Sequence, residues 1–213
     1  MPRTRLLFAA FLILVGILMA SGLRPHDRPT WALEVLPVLL VLPVLWATHR
    51  RFPLTPLLYS LIFVHCIVLI VGGMHTYARV PFGFQLQEWL DLARNPYDKI
   101  GHFFQGLVPA IAAREILLRG RYVNGDRMRV FIILSIVLAV SATYELLEWL
   151  TAVLFGQGAY AFLGTQGDPW DAQSDMLFAV IGCVCALVLL TGVHDRQIER
   201  LERELAPQSG SRD

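Results

Sequence analysis

Six apolar runs, each close to the roughly twenty residues that cross a bilayer as a helix, divide the chain at 6–22, 30–48, 54–73, 99–118, 129–155 and 172–193. Between them lie short polar breaks and two longer segments, about 74–98 and 156–171. The pattern predicts an all-α, polytopic membrane protein with about six transmembrane helices over 1–195 and a short tail over 196–213. The tail, rich in Arg and Glu from His194 onward, reads as a solvated helix that frays at Pro207. Pro37 and Pro43 predict a kinked second span. Arg3 and Arg5 ahead of the first run, with Ala20-Ser21-Gly22 behind it, also fit a signal peptide, whose removal leaves five spans in the same orientation.

Composition sharpens this reading. Of 213 residues, 55% are hydrophobic and 16% charged, against about a quarter charged in soluble domains. A soluble enzyme is excluded on that ground. The formal net charge of +1 offers no basic footprint for nucleic acid. Cys66, Cys183 and Cys185 lie within apolar runs and read as small buried hydrophobes.

Lys and Arg are distributed unevenly. Thirteen of them, including Arg50, Arg51, Arg119, Arg121, Arg127 and Arg129, flank one set of helix ends. Five, Arg24, Arg28, Arg79, Arg94 and Lys99, flank the other. The positive-inside rule then makes both termini cytoplasmic and turns the two long loops outward, as expected of a bacterial plasma-membrane protein.

Charges inside hydrocarbon cost about 2.5–3.5 kcal/mol each at mid-membrane, so each needs a reason. Glu145 and Glu148 share one helix face with Ser141; Asp171 and Asp175 enter the sixth span, and Asp98, His102 and Gln105 enter the fourth, all from outside. His75 closes the third span at the same surface. Two explanations compete at the helix starts. Asn95 and Asp168 suit N-caps followed by Pro, which places Asp98 and Asp171 where an acid bonds back to the cap or complements the helix dipole. Capping does not reach His102, Glu145, Glu148 or Asp175. These four, with His75, Asp98 and Asp171, are candidate ligands for one divalent metal ion such as Mg²⁺, Mn²⁺, Fe or Zn²⁺; a network of protonated acids is the competing account. Asn95-Pro96-Tyr97-Asp98 with His102 also echoes Asp168-Pro169-Trp170-Asp171 with Asp175. His65 reads as a packing residue, Glu34 as reaching water, and Arg114 and Glu115 as snorkelling. The glycine-rich stretch 156–167 lacks basic residues and reads as a surface loop.

The segments His75-Thr76-Tyr77, Asp98 through Gly106, Tyr144 through Trp149 and Gly167 through Met176 resemble the YjdF-like bacterial inner-membrane proteins, from the second span to the sixth. That family is a domain of unknown function, so the resemblance implies a compartment and no reaction. More distantly, Asp98-Lys99-x-x-His102, an intramembrane Glu, and Asp171-x-x-x-Asp175 with Gly182 are similar to VanZ-like proteins, which are linked to glycopeptide tolerance. The chain differs from them at Glu148, where they tend to carry glutamine. Three functional classes follow: a metal-dependent envelope enzyme acting on a lipid-linked or headgroup substrate, a small transporter or proton-coupled carrier, and a structural membrane partner. The lipid bilayer is the expected surrounding in each.

Overall fold

The computed structural model describes residues 2–155 and 166–206, and every regular element among them is helical. The order is α1 (Pro2–Leu23), α2 (Arg28–Glu34), α3 (Leu36–Thr48), α4 (Pro56–His75), α5 (Pro81–Trp89), α6 (Tyr97–Arg119), α7 (Asp126–Phe155), α8 (Asp171–Cys185), a π-helical turn (Ala186–Leu190) and α9 (Thr191–Leu205). The glycine-rich stretch lies for most of its length, at 156–165, outside the described residues.

Each predicted run falls on a helix. By length and composition α1, α4, α7 and the α8–α9 rod are fit to cross a membrane, with α2–α3 a fifth if that bent pair is one span. The fourth expected span, α6, is 23 residues long but too polar for the same standard. Its position explains how that polarity is tolerated. Helix α6 packs against α4, α7, α8 and the π turn, so its polar groups meet protein rather than lipid.

The second run bends by 41° between α2 and α3, at Val35. This differs from kinks at Pro37 and Pro43. Pro37 occupies the first turn of α3, where its missing N–H would lack a partner anyway, and Pro43 sits inside α3 without ending it. Asp27 caps α2 by accepting from the Thr30 N–H at 2.8 Å, a bond that holds its carboxyl below the usual carboxylate range.

The most extensive helix pair is α6 with α8, and two glycines make it possible. A Cβ on Gly106 would stand 1.8 Å from the Ala179 carbonyl oxygen, and one on Gly182 would stand 2.0 Å from that of Phe103. Backbone therefore meets backbone, as small residues allow in membranes. The two helices start at the same end of the bundle, which places His102 across from Asp175.

Helix α5 has no counterpart among the predicted spans. It is a nine-residue helix inside the long segment before α6, with Phe82, Phe84 and Trp89 exposed. Its brevity hid it, because an apolar run of that length cannot cross a bilayer. The expected solvated tail also departs from expectation: α9 buries His194, Ile198 and Leu201 along one stripe.

Candidate functional site

The starts of α6 and α8 are built alike. Asn95 Oδ1 accepts from the Tyr97 N–H at 3.0 Å, and Asp168 Oδ1 accepts from the Trp170 N–H at 2.9 Å. Gln166 links the two starts, its amide donating to the Asn95 carbonyl at 3.0 Å and accepting from the Asn95 N–H at 3.2 Å. The repeated sequence pattern thus becomes two adjoining turns of one form.

These are turn bonds and not the N-caps expected of Asn95 and Asp168: Pro96 and Trp170 hold the cap positions, neither helix start carries a side-chain cap bond, and Asp98 and Asp171 fall at the second and first helical positions. Asp171 Oδ1 accepts from Arg94 Nη2 at 2.5 Å and from Lys99 Nζ at 3.0 Å. Lys99 also donates to Asp175 Oδ1 at 2.6 Å and to Ser174 Oγ at 2.5 Å. Capping is therefore not the whole account of Asp171: two cations from the α5–α6 segment and α6 claim its carboxylate. Asp98 faces His102, with Oδ1 3.6 Å from Nε2.

Around His102 the remaining carboxylates converge. Its Nε2 stands 3.7 Å from Glu145 Oε1 and 4.0 Å from Asp175 Oδ2, and Asp175 is only 1% exposed. All three separations exceed hydrogen-bond length. On the other side of the ring, Nδ1 donates to Gln105 Oε1 at 2.9 Å. That bond orients the ring and leaves Nε2 turned toward three acids, the arrangement in which a ligating histidine is usually held. Ligand atoms of Asp98, His102 and Asp175 all lie within 4.8 Å of one another. Tetrahedral ligands about 2.1 Å from one ion stand about 3.4 Å apart, so closing on an ion the size of Zn²⁺ needs a contraction of up to about 1.4 Å in the widest separation.

The other expected ligands divide. Glu145 Oε1 is buried without a hydrogen-bond partner, as is Ser141 Oγ one turn away on α7. Glu148 is buried on the same face and pairs with no basic group among the described residues. His75 stays apart: its Nδ1 donates to the Val71 carbonyl at 3.1 Å, within its own helix.

Four residues carry more of the site than the sequence suggested. Lys99 and Arg94 read as flanking charges, yet they neutralise Asp175 and Asp171 from inside the cluster. Glu34, expected to reach water, is buried at the α2–α3 break and accepts from the Tyr144 hydroxyl at 3.1 Å. Tyr144 in turn sets its ring edge-on to His102 at 6.2 Å. The Asp-Lys-x-x-His spacing is the one signal that pointed at Lys99; nothing in the sequence around Glu34 marked it.

A second polar cluster sits at the far end of α6, about 25 Å along the helix from Asp98. Glu115 is fully buried and accepts from the Thr55 N–H at 3.0 Å, the Thr55 hydroxyl at 2.7 Å, Arg119 Nη1 at 2.9 Å and His194 Nε2 at 3.0 Å. Arg114 can only donate, so the His194 Nδ1 that meets it at 3.2 Å is an acceptor and His194 is neutral with its proton on Nε2. Arg114 also pairs with Asp195 at 2.7 Å. This overturns the snorkelling expected of Arg114 and Glu115: internal partners replace water.

The family described as Predicted membrane protein (DUF2238) matches residues 6–196. "Inner membrane protein YjdF" of Escherichia coli (strain K12) is 58% identical over 189 residues, covering 89% of this chain and 90% of that protein. No solved structure matches.

Proposed function

The chain belongs to the DUF2238 family of predicted membrane proteins, and from that footing as a multi-span helical protein of the inner membrane we propose that it is a divalent-metal-dependent envelope enzyme acting at the level of lipid headgroups. The observation that carries this reading is His102 Nε2, turned by Gln105 toward Asp98, Glu145 and Asp175 at 3.6–4.0 Å. Three carboxylates gathered at one imidazole nitrogen call for positive charge, and a cation between them supplies it. Lys99 and Arg94 are committed to Asp175 Oδ1 and Asp171 and leave this face of the cluster acidic. An ion held there would polarise a phosphate or activate water.

Two further features support the headgroup level. Exposed Phe82, Phe84 and Trp89 on α5, with exposed Trp170, flank the same end of the bundle, as aromatic belts do at membrane interfaces. The Lys/Arg asymmetry turns that end outward. The Glu115–His194 cluster ties α6, α9 and the start of α4 together at the opposite end, which favours an enzyme over a carrier that must open there.

The test is elemental analysis of the purified full-length protein with melting curves, with and without chelator. We expect one divalent ion per chain, a chelator-sensitive melt, and loss of the ion in His102→Gln and Glu148→Gln. Metal-free protein whose melt ignores chelator and added Mg²⁺, Mn²⁺ or Zn²⁺ would leave the network of protonated acids in its place.

A further inference from the structure

A narrow cavity of about 320 Å³ leads away from the acid–histidine cluster into the bundle. Asp98 and His102 form its polar end together with Glu34 and Tyr144. Its lining continues along α6 as far as Ala112, about 21 Å at 1.5 Å per residue. A bilayer half is about 15 Å thick, so the recess reaches past the midplane of a membrane centred on the bundle. Apart from the polar end, the walls are predominantly apolar, with Val41 of α3 on one side and Val140 of α7 on the other. Polar groups interrupt them at Gln105, Tyr77 and His65, and of these His65, which stacks on Phe104, has a buried Nε2 without a hydrogen-bond partner. Phe104 lies six residues below Asp98, about 9 Å.

Shape and chemistry select an occupant. An elongated, mostly apolar recess of about 320 Å³ that follows α6 inward from the acidic end suits a hydrocarbon chain. The uncompensated imidazole nitrogen stands where the ester carbonyl of such a chain would pass, a few ångströms below the headgroup. At the polar end, Glu34 has only the neutral Tyr144 hydroxyl as a partner, so an arriving ammonium would meet an acid not already held by a cation. We infer that this recess binds one acyl chain of a bilayer phospholipid whose headgroup carries an amine, with the ammonium toward Glu34 and the phosphate toward the proposed ion. The inference rests on the metal-site reading for the phosphate, and on the cavity alone for the chain.

The experiment uses full-length protein in vesicles of phosphatidylethanolamine and phosphatidylglycerol, doped with either lipid carrying a photoactivatable diazirine. Placed at the chain end, the diazirine in phosphatidylethanolamine should label Val108 and Ala112; placed beside the carbonyl, it should label His65 and Gln105. The glycerol-headed probe should label these positions about tenfold less, the ratio set by about 1.4 kcal/mol of preference. Ala112→Trp, which fills the deep end, should cut chain-end labelling about tenfold and leave bound metal unchanged. Labelling spread over the exposed faces of α1 and α3, or equal for both headgroups, overturns the inference with no variant needed. Absence of metal beside the stated labelling pattern overturns the metal reading and not the acyl-chain site.

Discussion

Lys99 Nζ lies 2.6 Å from Asp175 Oδ1, joining a cation that opens α6 to a carboxylate one turn into α8. The pair is shielded, with the lysine side chain 12% and the aspartate 1% exposed. Removing one member strands the other, which for a buried pair costs about 3–5 kcal/mol.

We therefore expect Lys99→Met to destabilise the protein by about 3 kcal/mol and Asp175→Asn by less, since an amide still accepts from Lys99. The double variant should recover at least about 1 kcal/mol relative to the sum, because the two share one interaction. Reversible denaturant unfolding in detergent measures the cycle. Strict additivity would mean the pair contributes nothing as a pair.

Gly106→Ala should destabilise by about 1–3 kcal/mol or more, since its methyl collides with the Ala179 carbonyl and backbone cannot swing aside as a side chain can. Gly192→Ala is the control: nothing stands within 4 Å of its Cβ, and alanine is the better helix former. Thermal melts of both variants decide this, and an unaffected Gly106→Ala would contradict the close crossing of α6 and α8.

Glu115→Ala should leave Arg119, His194 and the Thr55 N–H without their shared acceptor, at a cost of about 3–5 kcal/mol. The effect should be local as well as global. Limited trypsin digestion should cut earlier at Arg196 and Arg200, because α9 is held partly through His194. Unchanged cleavage would mean that α9 docks through Ile198 and Leu201 alone.

The Lys/Arg asymmetry predicts the orientation of the chain. In a background without Cys66, Cys183 and Cys185, Glu88→Cys should react with an impermeant thiol reagent in intact cells, and Asn124→Cys should react only after lysis. The opposite result would turn the acid–histidine end to the cytoplasm.

The bundle was largely legible in the sequence because membrane helices announce themselves through length and apolarity, which need no knowledge of neighbours. The positions of His102, Glu145, Glu148 and Asp175 were visible for a related reason: a polar residue within an apolar run stands out one residue at a time. Pairings were not visible. Lys99 meets Asp171 and Asp175 across 72 and 76 residues of sequence, and Glu115 meets His194 across 79. In a linear reading a lysine at a helix start is simply a flank charge. Glu34 was misplaced because the α2–α3 break at Val35 moved it from a span end into the bundle.

The π turn at Ala186–Leu190 has a consequence for how the chain tolerates changes in length. It lies between Asp175 and His194, the two points where the α8–α9 rod engages polar partners on α6. A π turn holds one residue more than the α turn it replaces, so it takes up that residue without rotating what lies beyond it and without breaking the rod. Deleting one residue there would restore α geometry and leave Asp175 with Lys99 and His194 with Glu115. Inserting one more would rotate everything beyond by about 100° and take His194 away from Glu115. The rod thus tolerates the loss of a residue at this turn and not a gain.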